Sequence, residues 1–143
     1  CLYTGKIGFV RQIRDLPDMV IIIAGNYIGT FLTALAVTGA GLPVSSLELA
    51  DKKLDYHPGS ILLLSMLCGV MMYLAIDNYN KSKNIVFIIA PVMIFILSGF
   101  EHSIADMFYF NLAGVHSLKS YGYLIIMLVG NGIGAKLFDL KPE

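Results

Sequence analysis

Residues 98–108 read SGFEHSIADMF, and they interrupt a long apolar stretch with three ionisable side chains. If that stretch crosses a bilayer, Glu101, His102 and Asp106 fall at the depth of the hydrocarbon core. Burying an ionisable group there costs about 2.5 to 3.5 kcal/mol on insertion scales, so these groups are expected to face a cavity or each other. Gly99 supplies the backbone freedom for a break between two half-helices, whose positive ends and exposed amides could face an anion.

The rest of the chain has the composition of a membrane protein. Its 143 residues are 57% hydrophobic and 14% charged, whereas soluble domains carry about a quarter charged residues. The charges form short clusters separated by apolar runs far longer than the ~10 residues of a barrel strand. We therefore predict an all-α polytopic membrane protein rather than the buried core helices of a soluble one. The runs predict a single transmembrane domain, 1–143, with four spans at about 19–41, 59–76, 85–112 (interrupted near 98–103) and 121–138.

Several function classes are disfavoured by the same sequence. The formal net charge is zero and the basic residues do not cluster, so nucleic acid is not an expected partner. There is no phosphate-binding loop, nucleophile elbow or catalytic triad pattern, and we expect neither an enzyme nor a cofactor. Cys1 and Cys68 fit no disulfide framework and no metal-binding spacing.

The distribution of Lys and Arg predicts an orientation. Four crossings sort the loops into two sets, of which one carries seven basic residues and the other three. By the positive-inside rule, both termini of this segment are cytoplasmic and the polar loop at 45–58 faces outward. The richer set is Lys6, Arg11, Arg14, Lys81, Lys83, Lys136 and Lys141, and the poorer set is Lys52, Lys53 and Lys119.

One motif occurs twice. The first span contains GNYIG at 25–29 and the last contains GNGIG at 130–134. In the predicted orientation these spans run in opposite directions, as the two halves of an inverted-topology repeat do. Each motif is also a G-x-x-x-G pattern that lets helix backbones approach closely, and the alternative interpretation is that both are packing motifs only. The packing glycines would be Gly25, Gly29, Gly130 and Gly134.

The ionisable residues of the interruption allow more than one interpretation. His102 can change charge near neutral pH, and a proton given to a weak-acid anion makes a neutral molecule that crosses hydrocarbon more easily. Alternatively, His102 is a satisfied core histidine, or it binds a metal together with Asp106 four residues on. Glu101 is best interpreted as a structural hydrogen-bond partner between helices or subunits.

The stretch GFEHSIADMF at 99–108 resembles the signature of the formate/nitrite transporter family. The resemblance continues through LYTG at 2–5, ADKK at 50–53 and GNGIG at 130–134. It implies an aquaporin-like, inverted-repeat bundle of six spans per subunit with broken helices, a pore in each subunit and a homopentamer. It also implies that this chain is the C-terminal two-thirds of a subunit, without the first span and most of the second.

The resemblance further implies roles for individual residues. His102 matches the central pore histidine, Thr4 the loop threonine facing it and Asn131 an asparagine close to it. Lys53 matches a lysine near the outer vestibule, where a cation would raise the local anion concentration. The cytoplasmic constriction would be formed by Leu2 and Phe95.

Two positions depart from the family pattern and leave the substrate open. Asp106 stands where many members have Asn, and Gly69 stands where formate-type members often have Asn. We expect a channel in a bacterial inner (plasma) membrane for formate, with proton participation at His102. Nitrite, hydrosulfide, acetate and lactate remain alternatives, as do a non-transporting membrane interaction module and a metal-dependent membrane enzyme that uses Glu101, His102 and Asp106.

Overall fold

The computed structural model describes residues 16–41 and 46–138. Within these ranges the chain forms six helices and no strand, so the predicted all-helical fold is confirmed for this part. Leu2 and Thr4 lie outside the described residues. The helices are α1 Leu16–Gly39, α2 Ser46–Asp55, α3 Pro58–Ser82, α4 Val86–Leu97, α5 Ser103–Leu112 and α6 Leu118–Phe138.

In the part of the chain that the structure describes, two helices are long and apolar enough to cross a membrane, Pro17–Gly39 within α1 and Pro58–Ser82, which is α3. α4 is apolar but has only twelve residues, and α5 has ten. Together these two short helices occupy the third apolar run of the sequence, with the interruption between them. The number of crossings stays a prediction.

The distribution of side chains is the reverse of that in a soluble domain. Ile21 on α1 and Leu97 on α4 are 68% and 78% exposed, whereas Glu101 and Asp106 are each 1% exposed. Large apolar patches on the outside and charged groups on the inside suit a molecule whose surroundings are lipid. The described residues therefore have the character of a helical membrane protein.

The tightest contact joins α3 and α6, which run side by side in the same direction. A Cβ added at Gly134 would overlap the backbone of Met66, and one at Gly130 would lie 2.5 Å from the Cβ of Ser65. Gly69 on α3 makes the reciprocal contact, since a Cβ there would overlap the carbonyl of Asn131. Small residues on both helices thus bring the two backbones into direct contact.

The chain leaves helical conformation between α4 and α5, where the sequence predicts the interruption. Gly99 has φ +68°, a left-handed conformation that costs a side-chain-bearing residue more than glycine. The N–H of Phe100 donates to the carbonyl of Phe95 at 3.0 Å, and the N–H of Gly99 donates to that of Ile96 at 3.2 Å. This pair of bonds is a Schellman motif, which ends α4 and turns the chain toward α5.

The polar stretch predicted as an outward-facing loop instead contains a helix that packs inside the bundle. α2 directs Ala50, Lys53 and Leu54 inward, three positions that share one helical face. Beyond its end, the carbonyl of Tyr56 accepts a 2.7 Å hydrogen bond from the hydroxyl of Tyr123 on α6. α2 therefore lies along α5 and next to the start of α6, so this part of the chain is a packed helix rather than a solvated loop. The side of the membrane that it faces stays a prediction.

The direction of α1 also differs from the prediction. Tyr27 bonds to His116 beyond the C-terminal end of α5, whereas Thr30, one turn later, bonds to Asn111 within α5. α1 is thus antiparallel to α5, as is α6, so α1 and α6 run in the same direction. The start of α1 and the end of α6 lie at opposite ends of the bundle. Both termini of the chain lie outside the described residues, and their orientation stays a prediction.

The two glycine motifs consequently have different surroundings. Gly25 and Gly29 of α1 have no atom within 4 Å of an added Cβ, whereas Gly130 and Gly134 are pressed against α3. α1 and α6, which carry the two motifs, run in the same direction, whereas the inverted-repeat interpretation of the motifs expects opposite directions. The physical reason is α2, which returns the chain along α5 before α3 begins.

We expect Gly134→Ala to lower the free energy of unfolding by about 1–3 kcal/mol, because the added methyl group forces α6 away from α3. Gly122→Ala on the same helix is the matched control, since nothing lies within 4 Å of its added Cβ. Better helix propensity makes this control neutral or stabilising by up to about 1 kcal/mol. Thermal unfolding followed by circular dichroism in detergent measures both, and equal melting temperatures would contradict the close contact.

Candidate functional site at the break between α4 and α5

His102 is the N-cap of α5 and turns its ring toward the end of α4. Its Nδ1 accepts a hydrogen bond from the N–H of Ala105 at 3.3 Å, and its carbonyl accepts one from the N–H of Asp106 at 3.0 Å. A ring nitrogen that accepts carries no proton, so the neutral ring has its proton on Nε2. The ring of Phe95 stacks on this imidazole with centroids 5.6 Å apart.

The His102 ring helps to line an open cavity between α1 and α5. The other lining residues are Thr30, Thr33, Ile104, Ala105 and Phe108. Sequence reasoning missed the two threonines of α1, although two hydroxyls three residues apart in a charge-free span were a usable signal. Each hydroxyl donates to a carbonyl of its own helix, at 2.9 and 2.8 Å, and the Thr30 oxygen also accepts from Nδ2 of Asn111 at 3.1 Å. The Thr33 hydroxyl therefore offers the cavity acceptor character.

Asn131 joins the break to two neighbouring helices. Its Nδ2 donates to the carbonyls of Ser65 on α3 and Glu101 in the break, both at 2.9 Å. Its Oδ1 accepts from the N–H of Ser103, the first residue of α5, at 3.0 Å. One amide therefore satisfies two backbone groups that the broken helix would leave without partners, and it ties them to a carbonyl of α3. The prediction placed Asn131 near His102, and its contacts are with the backbone on either side of that residue.

Two amides of the first turn of α5 already have partners. The N–H of Ser103 donates to Asn131 and that of Ala105 donates to His102. The expectation that the break presents a set of exposed amides to an anion therefore does not hold for these two groups. The start of α5 also offers an anion the positive end of the helix dipole, where His102 lies.

Lys53 of α2 is ion-paired inside the protein. Its Nζ lies 2.5 Å from Oε2 of Glu101 and 2.7 Å from Oδ1 of Asp106. The Lys53 side chain is 15% exposed, those of Glu101 and Asp106 are 2% and 1% exposed, and the ammonium lies 5.7 Å from the ring centroid of Tyr109. A cation faced by two carboxylates does not act as a free positive charge. The predicted role of Lys53, attraction of anions at an outer vestibule, is therefore not supported by this geometry.

The two carboxylates keep the lysine charged. Burial by itself lowers the pKa of Lys53, but the negative charges of Asp106 and Glu101 more than offset this effect, and the pKa is raised above its ordinary value. The ammonium is the counter-ion of the cluster, and it donates a hydrogen bond from α2 to Glu101. The structural role of Glu101 stays a prediction.

No three His, Cys, Asp or Glu side chains converge on a metal-binding position in residues 16–41 and 46–138. His102 faces the cavity, whereas Asp106 faces Lys53, so the pairing of these two residues on one helix face does not form a site. The arrangement at the break is a neutral imidazole at a cavity wall, with a salt-bridged cluster behind it.

A family model described as "Formate/nitrite transporter" matches residues 2–140 of this sequence. The chain belongs to the formate/nitrite transporter family. The match covers nearly the whole chain and includes the interrupted span, α2 and the GNGIG motif of α6, so the resemblance expected from these segments is confirmed.

Two curated relatives are similar to this member of the family. One is the formate channel FocA of Haemophilus influenzae, 25% identical over 116 residues, and the other is the formate channel FocB of Escherichia coli K12, 27% identical over 113 residues. The aligned parts are 73% and 71% of this chain. The chain spans 40% of the length of each relative. These relatives are channels rather than enzymes.

Replacing Lys53 by Met leaves Glu101 and Asp106 buried without their cation. We expect Lys53→Met to lower the free energy of unfolding by about 3–5 kcal/mol, as breaking a buried ion pair does. Lys52→Met is the matched control, because Lys52 is exposed and its loss should change stability by no more than about 0.5 kcal/mol. Chemical unfolding of the purified protein measures both, and a Lys53 variant as stable as the control would show that the pairs are unimportant.

Asn131→Leu keeps the size of the side chain but removes all three hydrogen bonds. We expect a loss of about 1–3 kcal/mol for each buried group left unsatisfied, and looser attachment of the break to α3 and α6. Asn78→Leu is the control, since the amide of Asn78 donates to a carbonyl of its own helix and bridges no two elements among the described residues. Hydrogen exchange at Ser103 reports the effect directly, and unchanged protection there would argue against the bridging role.

Proposed function

We propose that this chain forms part of a membrane channel for small monovalent weak-acid anions, of which formate is the first candidate. The observation that carries the proposal is the position of His102, at a break between two half-helices and on the wall of a cavity. The relatives named as formate channels support the substrate class. We also propose that the channel lies in a bacterial inner (plasma) membrane, that each subunit is an aquaporin-like bundle with its own pore, and that the assembly is a homopentamer.

In this proposal His102 works mainly as a neutral hydrogen-bond donor. Protonating Nδ1 would break the bond from Ala105 and place a positive charge at the positive end of α5, which is unfavourable. A hydrogen bond from the neutral ring to an anion in the cavity would stabilise the anion without a permanent charge on the protein. The anion also lies near the positive end of α5, which favours negative charge.

The apolar lining then favours the protonated form of the substrate. Phe95, Ile104 and Phe108 offer no donors, so a bare anion that moves past them loses hydration at high cost, whereas a neutral acid does not. An anion held at His102 that takes up a proton can pass these side chains as a neutral molecule. Flux is therefore expected to rise as the pH falls, because more of the substrate carries a proton.

The test is uptake of radiolabelled formate by proteoliposomes that contain the full-length protein, with an acidic pH outside. His102→Asn keeps an N-cap residue, since Asn is among the best caps, but removes the imidazole. We expect it to reduce acid-driven uptake at least tenfold, about 1.4 kcal/mol in barrier height. Uptake by this variant at the level of the parent protein would refute the role of His102.

The chain provides a closely matched control. His57 is the N-cap of α3, and its Nδ1 accepts from the N–H of Gly59 at 3.1 Å, so it has the same capping role at an exposed site. His57→Asn makes the same chemical change away from the cavity and should leave uptake unchanged. If both variants lose uptake, the effect comes from capping in general and not from the imidazole at the break.

The identity of the anion is the finer part of the proposal. Gly69 has no room for a side chain, because α6 occupies the space at the Asn131 carbonyl. The amide that formate-type members often carry at this position would require α3 and α6 to separate. Competition of nitrite and of hydrosulfide with formate uptake decides between the candidates. Uptake of hydrosulfide without uptake of formate would make hydrosulfide the substrate of the same site.

A second candidate is a membrane interaction module that does not transport. It is favoured by the open face of α1 around Gly25 and Gly29, which no described residue covers. Absence of uptake of all three anions by correctly assembled protein would support it.

A further inference from the structure

The cluster behind His102 contains one more carboxylate than it has cations. Lys53 supplies one positive charge, while Glu101 and Asp106 supply two negative charges if both are ionised. Their oxygens lie 2.5 and 2.7 Å from the same nitrogen, so the two carboxylates are close neighbours in a site with almost no solvent exposure. Two carboxylates that share a buried site cannot both ionise without a large repulsive cost.

The hydrogen bonding of Asp106 has the same implication. Both of its carboxyl oxygens are buried, and neither accepts a hydrogen bond of good geometry from a described residue, although the Lys53 ammonium is close to one of them. An ionised carboxylate needs several donors to offset its lost hydration, whereas a protonated one needs a single acceptor. Glu101, which is held by Lys53, offers that acceptor.

We propose that Glu101 and Asp106 share one proton, so that the cluster they form with Lys53 is neutral and stores a proton directly behind the cavity histidine. The shared proton forms an O–H to O⁻ hydrogen bond between the two carboxyl groups, and Lys53 balances the one remaining negative charge. This part of the inference concerns the protein alone and does not depend on transport.

The groups around the pair come from five segments. α2 contributes Lys53, α5 contributes Tyr109 under the ammonium, and α3 contributes the thiol of Cys68, which is fully buried and interacts electrostatically with both carboxylates. The break contributes His102, next to Glu101. From α6, Asn131 approaches with an amide that binds the backbone of Glu101 and carries no charge. Lys53 is the cation among these described neighbours.

The stored proton gives the cluster a charge that depends on pH. With the proton, the cluster is neutral; when the pH rises enough to remove it, the cluster carries one negative charge behind His102. That charge repels an anion in the cavity. Resting on the proposed function, this predicts a loss of flux at high pH beyond the loss caused by deprotonation of the substrate itself.

Infrared spectroscopy of the full-length protein tests the shared proton without any transport measurement. We expect a carbonyl band of a protonated carboxylic acid at neutral pH, shifted to lower frequency in D₂O. Asp106→Asn and Glu101→Gln should each lose this band, because the remaining carboxylate pairs with Lys53 alone. Asp55→Asn, at an exposed end of α2, should keep it. Absence of the band in the parent protein, or its persistence in both cluster variants, overturns the proposal.

Uptake measurements test the consequence separately. Asp106→Asn leaves a neutral Lys53–Glu101 pair with no shared proton to lose. The ratio of parent to variant uptake should therefore fall as the pH rises. Above the pH at which the shared proton leaves, this fall is up to about tenfold per pH unit. A constant ratio together with the infrared band refutes the effect on flux and leaves the shared proton in place. Absence of uptake in both proteins, with the band present, is a failure of the proposed function alone.

Discussion

A helix that is broken in apolar surroundings frees N–H and C=O groups that nothing outside the protein can satisfy, and the described part of the chain is organised by this constraint. Asn131 meets it by binding the carbonyl of Glu101 and the N–H of Ser103, the two sides of the break, together with the carbonyl of Ser65 on α3. The amide reaches all three because Gly130 and Gly134 bring α6 against α3. The glycines and the asparagine of the GNGIG motif therefore act as one structural unit.

The sequence allows much of the local structure to be predicted. Apolar runs locate the long helices, Gly99 locates the break, and the need to pair buried charges implies that Glu101 has a partner. The identity of that partner does not follow from the sequence, because Lys53 lies in a polar segment whose charge pattern is equally suited to a solvated loop. Its burial depends on the packing of α2 against α5, a tertiary contact with no signature in the residues themselves.

The similarity of the two G-N motifs predicted similar surroundings, and the structure gives them different ones. A motif specifies what a helix can accommodate, namely a closely approaching backbone, but not which helix approaches. At Gly130 and Gly134 that helix is α3, while at Gly25 and Gly29 no described helix takes the place. The direction of α1 is decided by α2 and by contacts such as Tyr27 to His116, which lie 89 positions apart in the sequence.

α4 stands apart from the other helices in that none of its twelve residues is buried, although its last turn supports the stack of Phe95 on His102. At most of these positions the helix requires a hydrophobic side chain, and the shape of that side chain matters little. Substitutions among Ile, Leu, Val, Met and Phe should then accumulate freely along this helix as the sequence diverges, while Phe95 and the backbone turn at Gly99 resist change. Over evolutionary time the amino-acid sequence of α4 should vary while its length stays constant. The length of the helix sets the position of the Phe95 ring beside the imidazole of His102.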